Sequence, residues 1–320
     1  MGSLQTVTAT ADDARSGGEY FQFDPETFER NYDREPFEFT HRLSELDLFE
    51  QDALLALAEK MGNSPRDYFI AGSAPKPGTK FYDVPSGGLS PLQALETLEQ
   101  RHCRILLKRP ENHEPKFREL LDALFQQVTD MRGGLGSERV VRLETAIFIS
   151  SGSATTPIHF DPEINFFSQI EGQKFYHVYP PACASEQELE RFYIRGRVDI
   201  GNLDLMKLDT SRKHAYVLEP GKGFHQPQNS PHWVQTGEQR SVSFSLVYET
   251  DASRERGRAR AFNYFLRKAG VTPARVGHRP AMDARKAAAM RAARPLQMAG
   301  RVLNKAQRML GGTRLKGHSH

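Results

Sequence analysis

The feature that most constrains this chain is a change of hydrophobic period near Arg139. Before it the apolar residues recur at helical spacing; after it they come in short runs of strand type, rich in Val, Ile, Phe and Tyr. The runs fall at 140–150, 158–165, 173–179, 215–218, 223–226, 232–235 and 242–248. Turn signals separate them, among them Ser151-Gly152, Gly172, Glu219-Pro220-Gly221 and Thr236-Gly237. Short strands joined by turns predict a sandwich or jelly roll rather than a parallel sheet.

The flanks read differently. Asp24-Pro25-Glu26 begins a helix, with Asp as N-cap and Pro at the first helical position. Helices are predicted over 51–61, 89–101 and 116–129, the last with Phe117, Leu120, Leu121, Leu124, Phe125 and Val128 on one face. A short strand is predicted over 103–107, and no repeats are visible. Past residue 250 the helical pattern returns at 253–269, 281–293 and 296–310. The division expected is a disordered 1–18, a mainly helical addition over 19–138, a β domain over 139–250 and a basic helical extension over 251–320.

Charge marks the same boundary. The net charge of +3 conceals 17 Lys or Arg against 3 Asp or Glu in residues 251–320, and 26 against 37 in the rest. A basic extension on an acidic body can contact a polyanion (nucleic acid or anionic lipid), or pack as helices on the body or in a homodimer. Hydrophobic residues make up 38% of the chain, enough for a core, and no apolar stretch is long enough to span a membrane. The N-terminus lacks a basic segment followed by an apolar one, so no secretory signal is expected, although Met1-Gly2-Ser3-Leu4-Gln5-Thr6 fits the loose myristoylation pattern. Only Cys103 and Cys183 occur, which argues against a disulfide framework and for a reducing, cytoplasmic location.

The chemistry concentrates in His159-Phe160-Asp161-Pro162-Glu163-Ile164-Asn165-Phe166-Phe167. A His and an Asp two residues apart on a strand share one face, because side chains alternate with period two. They are two-thirds of a 2-His-1-carboxylate triad, the set that holds non-haem Fe(II) on one face and leaves the other open. The third ligand must come from elsewhere in the fold. His232, in Pro227-Gln228-Asn229-Ser230-Pro231-His232, is the first candidate and His225 its rival. Imidazoles with a carboxylate suit Fe(II) better than the thiolate-rich sets of structural zinc.

With Thr155-Thr156-Pro157 before the pair, Lys174 fifteen residues after the His and Phe175-Tyr176-His177-Val178-Tyr179 beyond it, the sequence resembles the JmjC branch of the cupin superfamily, the Fe(II)- and 2-oxoglutarate-dependent oxygenases. It is most similar to the group of the asparaginyl hydroxylase of hypoxia-inducible factor and its bacterial cupin-like relatives. The resemblance covers residues 140–180 and 216–250, is looser over 20–130 and is absent beyond about 270. It implies a mainly β fold, a double-stranded β-helix (the cupin/JmjC jelly roll) with N-terminal α/β additions and C-terminal helices. It implies His159, Asp161 and His232 as metal ligands and catalytic centre, the five-residue step from Pro227 to His232 being the family's usual entry to its distal ligand.

For the co-substrate the resemblance implies Lys174 and the Thr156 hydroxyl, with Asn165 and Ser245 as further polar contacts. Arg240 lies eight residues past His232, out of the register that other oxygenases use, and His177 reads as a packed core residue. The reaction implied is hydroxylation of a protein side chain or small metabolite, with succinate and carbon dioxide as co-products. A non-catalytic cupin-like metal-binding or regulatory protein is the alternative, and a metal-dependent sugar isomerase on the same barrel a third. No nucleophile–His pair and no phosphate-binding loop point elsewhere.

Overall fold

A computed structural model describes residues 19–72, 84–101, 103–195 and 210–293. The described residues of Met1–Ser185 and Val198–Asp251 form one compact unit, and those of Glu186–Arg197 and Ala252–His320 a second. The expected disordered 1–18 and the helix expected over 296–310 lie outside the described residues.

In the first unit twelve strands pair, all antiparallel, into two sheets. The barrel strands are β5 (Val140–Ser150), β6 (Thr155–His159), β7 (Ile164–Glu171), β8 (Lys174–Val178), β9 (His214–Leu218), β10 (Lys222–Gln226), β11 (His232–Thr236) and β12 (Ser241–Thr250). Preceding them are β1 (Phe21–Gln22), β2 (Phe37–His41), β3 (Tyr68–Ala71) and β4 (Arg104–Lys108). One sheet has the order β1-β2-β10-β7-β12-β5-β4-β3, the other β6-β11-β8-β9. The chain thus crosses between sheets along its length, the arrangement of a double-stranded β-helix.

Two expectations change. The single strand expected over 158–165 is two: β6 stops at His159, and β7 begins at Ile164 in the other sheet. Pro162 lies in the break, where a residue without an N–H suits a chain leaving one ladder for another. The segment 19–138, expected to be mainly helical with one strand over 103–107, supplies that strand as β4 and also β1 to β3, and the four widen the larger sheet at both edges. Its helices are α1 (Pro25–Asn31), α2 (Gln51–Met61), α3 (Pro91–Glu96) and α4 (Pro115–Met131). α1 starts where Asp24 accepts from the Thr27 N–H at 2.9 Å, and α3 where Ser90 and Gln93 form a capping box.

The two faces of the larger sheet have different fates. On the outer face Leu54, Leu57 and Met61 of α2 and Leu120, Leu121 and Leu124 of α4 join Ile147, Ile149, Phe166, Phe244 and Leu246 in one core. Each such side chain contributes about 1.5–3 kcal/mol on burial. On the inner face Phe167 and Phe224 meet Tyr176, Val178, Leu218 and Val234 of the smaller sheet. Between β7 and β8, Gly172 has φ +69°, which fixes the turn that carries the chain into the smaller sheet.

The second unit is helical, with α5 (Glu186–Arg195), α6 (Asp251–Lys268) and a helix over 280–293. Gly257 lies against the Tyr193 ring, and Arg267 donates to buried Glu190 at 2.8 and 3.0 Å. Among the described residues no helix is long and apolar enough to cross a membrane.

Candidate metal centre

His159 ends β6 and His232 begins β11, and the two are direct cross-strand partners. Side chains at paired positions share a face, and the ring centroids stand 4.1 Å apart. Asp161 is not on the strand, as the period-two reading required; it reaches the same point from the connection into β7. Its Oδ2 lies 3.8 Å from His159 Nε2 and 3.7 Å from His232 Nε2. One ligand atom from each of the three lies within 4.8 Å of the others.

Backbone carbonyls set the imidazole tautomers. His159 Nδ1 is 2.8 Å from the Pro157 oxygen and His232 Nδ1 is 3.0 Å from the Ser230 oxygen. A carbonyl only accepts, so each Nδ1 carries the proton and each Nε2 presents its lone pair toward Asp161. Burial, and after it the neighbouring His159, push the His232 imidazole down to about 3, which keeps it neutral near pH 7. The Asp161 carbonyl accepts from the Asn229 N–H at 2.9 Å, and Gln228 Nε2 donates to the Pro162 carbonyl at 2.7 Å. These bonds tie the carboxylate's connection to the one that leads into His232.

Deeper in the barrel the register continues. Lys174, Tyr176 and Val178 of β8 pair with Thr236, Val234 and His232 of β11. Lys174 is buried, its Nζ 5.4 Å from the Phe167 ring centre and 5.7 Å from that of Phe148. Burial, and next the Arg104 guanidinium, push its ammonium down to about 7, and no carboxylate of the described residues offsets that burial. Thr156 lies three residues before His159, a spacing that alternation would send to the opposite face. The register shift between His232 and Val234 pairs Thr156 with Val234 and returns it to the inner face.

Asn165 and Ser245 sit on β7 and β12, not on the strand of Asp161. Ser245 is the cross-strand partner of inward-facing Phe167, and Asn165 is two residues from it, so both look inward. Asn165 Oδ1 and Ser245 Oγ are buried and make no hydrogen bond. Tyr176 donates to Gln226 Oε1 at 2.9 Å, and its ring stacks on His232 with centroids 5.4 Å apart.

The rivals lie elsewhere. His225 pairs with Phe166 and Phe37, on the outer face of the larger sheet. It is enclosed there by Phe37 and Phe166, each 4.8 Å away, and by Tyr32 at 5.4 Å, and accepts from the Asp33 N–H at 3.0 Å. Arg240 donates to Gln51 and pairs with Glu171 at 3.5 Å. His177, expected in the core, is half-buried and stacks on Trp233 with centroids 3.8 Å apart, its neighbours Tyr176 and Val178 taking the inward positions. Sequence reasoning gave no site role to Arg104, Tyr176 or Gln226. For Arg104 a signal exists: a lone cation inside the apolar run Cys103-Arg104-Ile105-Leu106-Leu107.

The donor set fits one ion. Two imidazoles and one carboxylate converging on one point, beside a polar and cationic interior, suit a hard or borderline divalent metal. The barrel and this set fit the JmjC/cupin-like family that the sequence resembles.

No family model matches the chain. Among curated proteins, HSPB1-associated protein 1 of Homo sapiens is 28% identical over 117 residues, 34% of this chain and 24% of that protein. Lysine-specific demethylase 8 of Danio rerio is 26% identical over 141 residues, 39% of this chain and 34% of that protein. The matches thus span about a quarter to a third of these relatives' length. The Escherichia coli ribosomal oxygenase YcfD aligns over 85% of this chain and 67% of its own at 16% identity and TM-score 0.49. Its structure in complex with cobalt and 2-oxoglutarate aligns over 84% and 66% at 16% identity and TM-score 0.48.

Proposed function

We propose that this chain is an Fe(II)- and 2-oxoglutarate-dependent oxygenase that hydroxylates a protein side chain or a small metabolite. The observation that carries the reading is a pairing. A His-Asp-His set shares a barrel interior with a buried lysine that no carboxylate of the described residues offsets. A metal site alone would fit a binding protein; a buried cation beside it suits a metal-chelating acid with a second carboxylate.

His159, Asp161 and His232 would hold the metal, the Nδ1 bonds to Pro157 and Ser230 orienting both rings. When bound, Fe(II) with a chelated 2-oxoglutarate supplies an O2-dependent decarboxylation to succinate and carbon dioxide, coupled to conversion of a substrate C–H to C–OH. Lys174 would offset the charge of the far carboxylate in a site where a lone carboxylate would be costly. The Thr156 hydroxyl would add a contact, and the free acceptors of Asn165 and Ser245 would face the bound acid or water. Phe148, Phe167, Tyr176 and Phe224 form an aromatic layer that excludes bulk water. No side-chain general base is needed. The free thiols Cys103 and Cys183 and a ferrous centre both suit a reducing compartment, so the cytoplasm is the proposed location.

The test is an anaerobic titration of the whole chain with Fe(II) and then 2-oxoglutarate, read as the weak visible charge-transfer band of a chelated keto acid. His159→Ala and His232→Ala are expected to abolish the band and His225→Ala to retain it. A band that survives in His232→Ala and vanishes in His225→Ala would overturn the ligand assignment. Succinate release in a candidate-substrate screen then identifies the substrate.

A further inference from the structure

Gln226 is fully buried at the end of β10, and only half of its carboxamide is used. Its Oε1 accepts the Tyr176 hydroxyl at 2.9 Å, while its Nε2 is enclosed and makes no hydrogen bond. Phe224, two residues earlier on the strand, faces the interior with Phe167, so Gln226 faces it too. Its cross-strand partner on β7 is Asn165, whose Oδ1 is likewise buried without a partner. The direction of the amide follows from Tyr176. A phenol near neutral pH carries its proton and, when buried, needs an acceptor for it. Turning the amide over would set its N–H groups against the phenol and take that acceptor away.

The strands put this donor at the metal end of the barrel. β6 ends at His159, β11 begins at His232, β10 ends at Gln226, and β7 begins one residue before Asn165. Lys174 opens β8 at the other end, just past the Gly172 turn. Two residues on from it in the inward row of β8, Tyr176 stacks on His232 with centroids 5.4 Å apart and holds Gln226 by its hydroxyl. The Asp161 side chain is 29% exposed, so a substrate arriving from solvent meets that side of the centre, and the enclosed Gln226 faces what lies within. An amide N–H shut away without an acceptor destabilises the fold, and an apolar side chain would fill the position without that cost. A ligand oxygen in the interior gives the donor its purpose.

We infer that Gln226 is a binding residue for the metal-chelating end of the 2-oxo acid, with Tyr176 the positioning residue that leaves its Nε2 free to donate. The inference rests on the reading of the site as a 2-oxoglutarate pocket. It divides recognition in two: Lys174 offsets the far carboxylate, and Gln226 donates to the end that every 2-oxo acid shares.

The experiment measures binding to the full chain loaded with Mn(II) by calorimetry, without turnover. Its probes are 2-oxoglutarate and 2-oxopentanoate, which keeps the chelating end and lacks the far carboxylate. Gln226→Met keeps the length of the side chain and removes the donor; Tyr176→Phe keeps the ring on His232 and removes the hydroxyl. Mn(II) affinity and circular dichroism melts accompany each variant, and Tyr176→Phe is read alone if Gln226→Met does not fold. Gln226→Met is expected to weaken both acids by the same factor, about tenfold, and Tyr176→Phe to weaken both about threefold, with Mn(II) affinity unchanged. Lys174→Met, by contrast, is expected to weaken 2-oxoglutarate alone. Unchanged affinities in the folded variants overturn the inference and leave the oxygenase reading intact. A loss confined to 2-oxoglutarate overturns it by moving Gln226 to the far carboxylate, and a loss matched by weaker Mn(II) binding overturns it by making the role structural. A wild type that binds 2-oxoglutarate and not 2-oxopentanoate also overturns it, since the chelating end would then have no partner of its own. If the wild type binds neither acid, the 2-oxoglutarate reading itself fails.

Discussion

Replacing Lys174 with Met tests whether the buried ammonium exists for a ligand rather than for the fold. Met has nearly the same reach and no charge, and Lys174 is 5% exposed between Phe148 and Phe167. The folded protein lowers the ammonium from the ordinary 10.5 to about 7, because burial and Arg104 disfavour its charge. At about 1.4 kcal/mol per tenfold change in proton affinity, this opposes folding by roughly 4 kcal/mol at pH 7. The unfolded chain binds the proton more readily, so the wild type loses stability as pH falls from 10.5 toward 7, and below 7 the whole loss stands. Lys174→Met should therefore make the metal-free protein more stable by a few kcal/mol at pH 7, with a gain that shrinks toward about pH 9.5. The same variant should bind 2-oxoglutarate about 10- to 150-fold more weakly, having lost a charge-assisted contact. Urea unfolding at the two pH values and calorimetric titration of the Mn(II) form give both quantities. A variant less stable than wild type at pH 7, or one whose 2-oxoglutarate affinity is unchanged, would refute the reasoning. So would Arg240→Ala weakening the acid where Lys174→Met does not.

His225→Ala should leave metal binding intact yet cost about 2–4 kcal/mol in urea unfolding, because it opens a cavity among three aromatic rings and frees the Asp33 N–H. Burial lowers the His225 and His232 imidazoles to about 3, so the metal-free protein should lose stability as pH falls from about 6.5 toward 3. His225→Leu should lower that slope by about 1.4 kcal/mol per pH unit, the share of one proton; an unchanged slope would count against it. Removing residues 281–320 should lower the melting temperature, because Asp283, Lys286 and Ala287 are buried in the helical unit. The metal titration should be unaffected, every ligand preceding residue 250. Loss of salt-sensitive binding to duplex DNA or anionic vesicles on truncation would assign the extension, with its 17 Lys or Arg, to a polyanion instead. A halved mass in light scattering would assign it to a homodimer.

Local physics made part of this protein legible without coordinates. The helices of α2 and α4 follow from apolar spacing, and α1 and α3 from Asp24-Pro25 and Ser90-Pro91, because caps and amphipathic faces are written within a few residues. β5 matches its run of β-branched residues, and the turn at Gly172 its glycine. The barrel strands were visible as runs, but β2, whose alternate residues Phe37, Phe39 and His41 are buried, was hidden by the acids around it. β3 and α5 gave no reading, since four residues or a strongly charged helix carry little periodic signal.

The site divides in the same way. That histidines and a carboxylate were available to a metal followed from residue type; which of them meet did not. His225 and His232 differ because one faces the helix-covered side of a sheet and the other the barrel interior, a difference created by strand pairing across dozens of residues. Thr156 reaches the inner face through a register shift, Asp161 acts from a connection rather than a strand, and Arg104 is carried to Lys174 by an added strand. Alternation along a strand is local and can be read from the chain. The face a strand turns inward, and the strand beside it, are fixed only when two sheets close on a common interior, and there tertiary structure alone decided the chemistry.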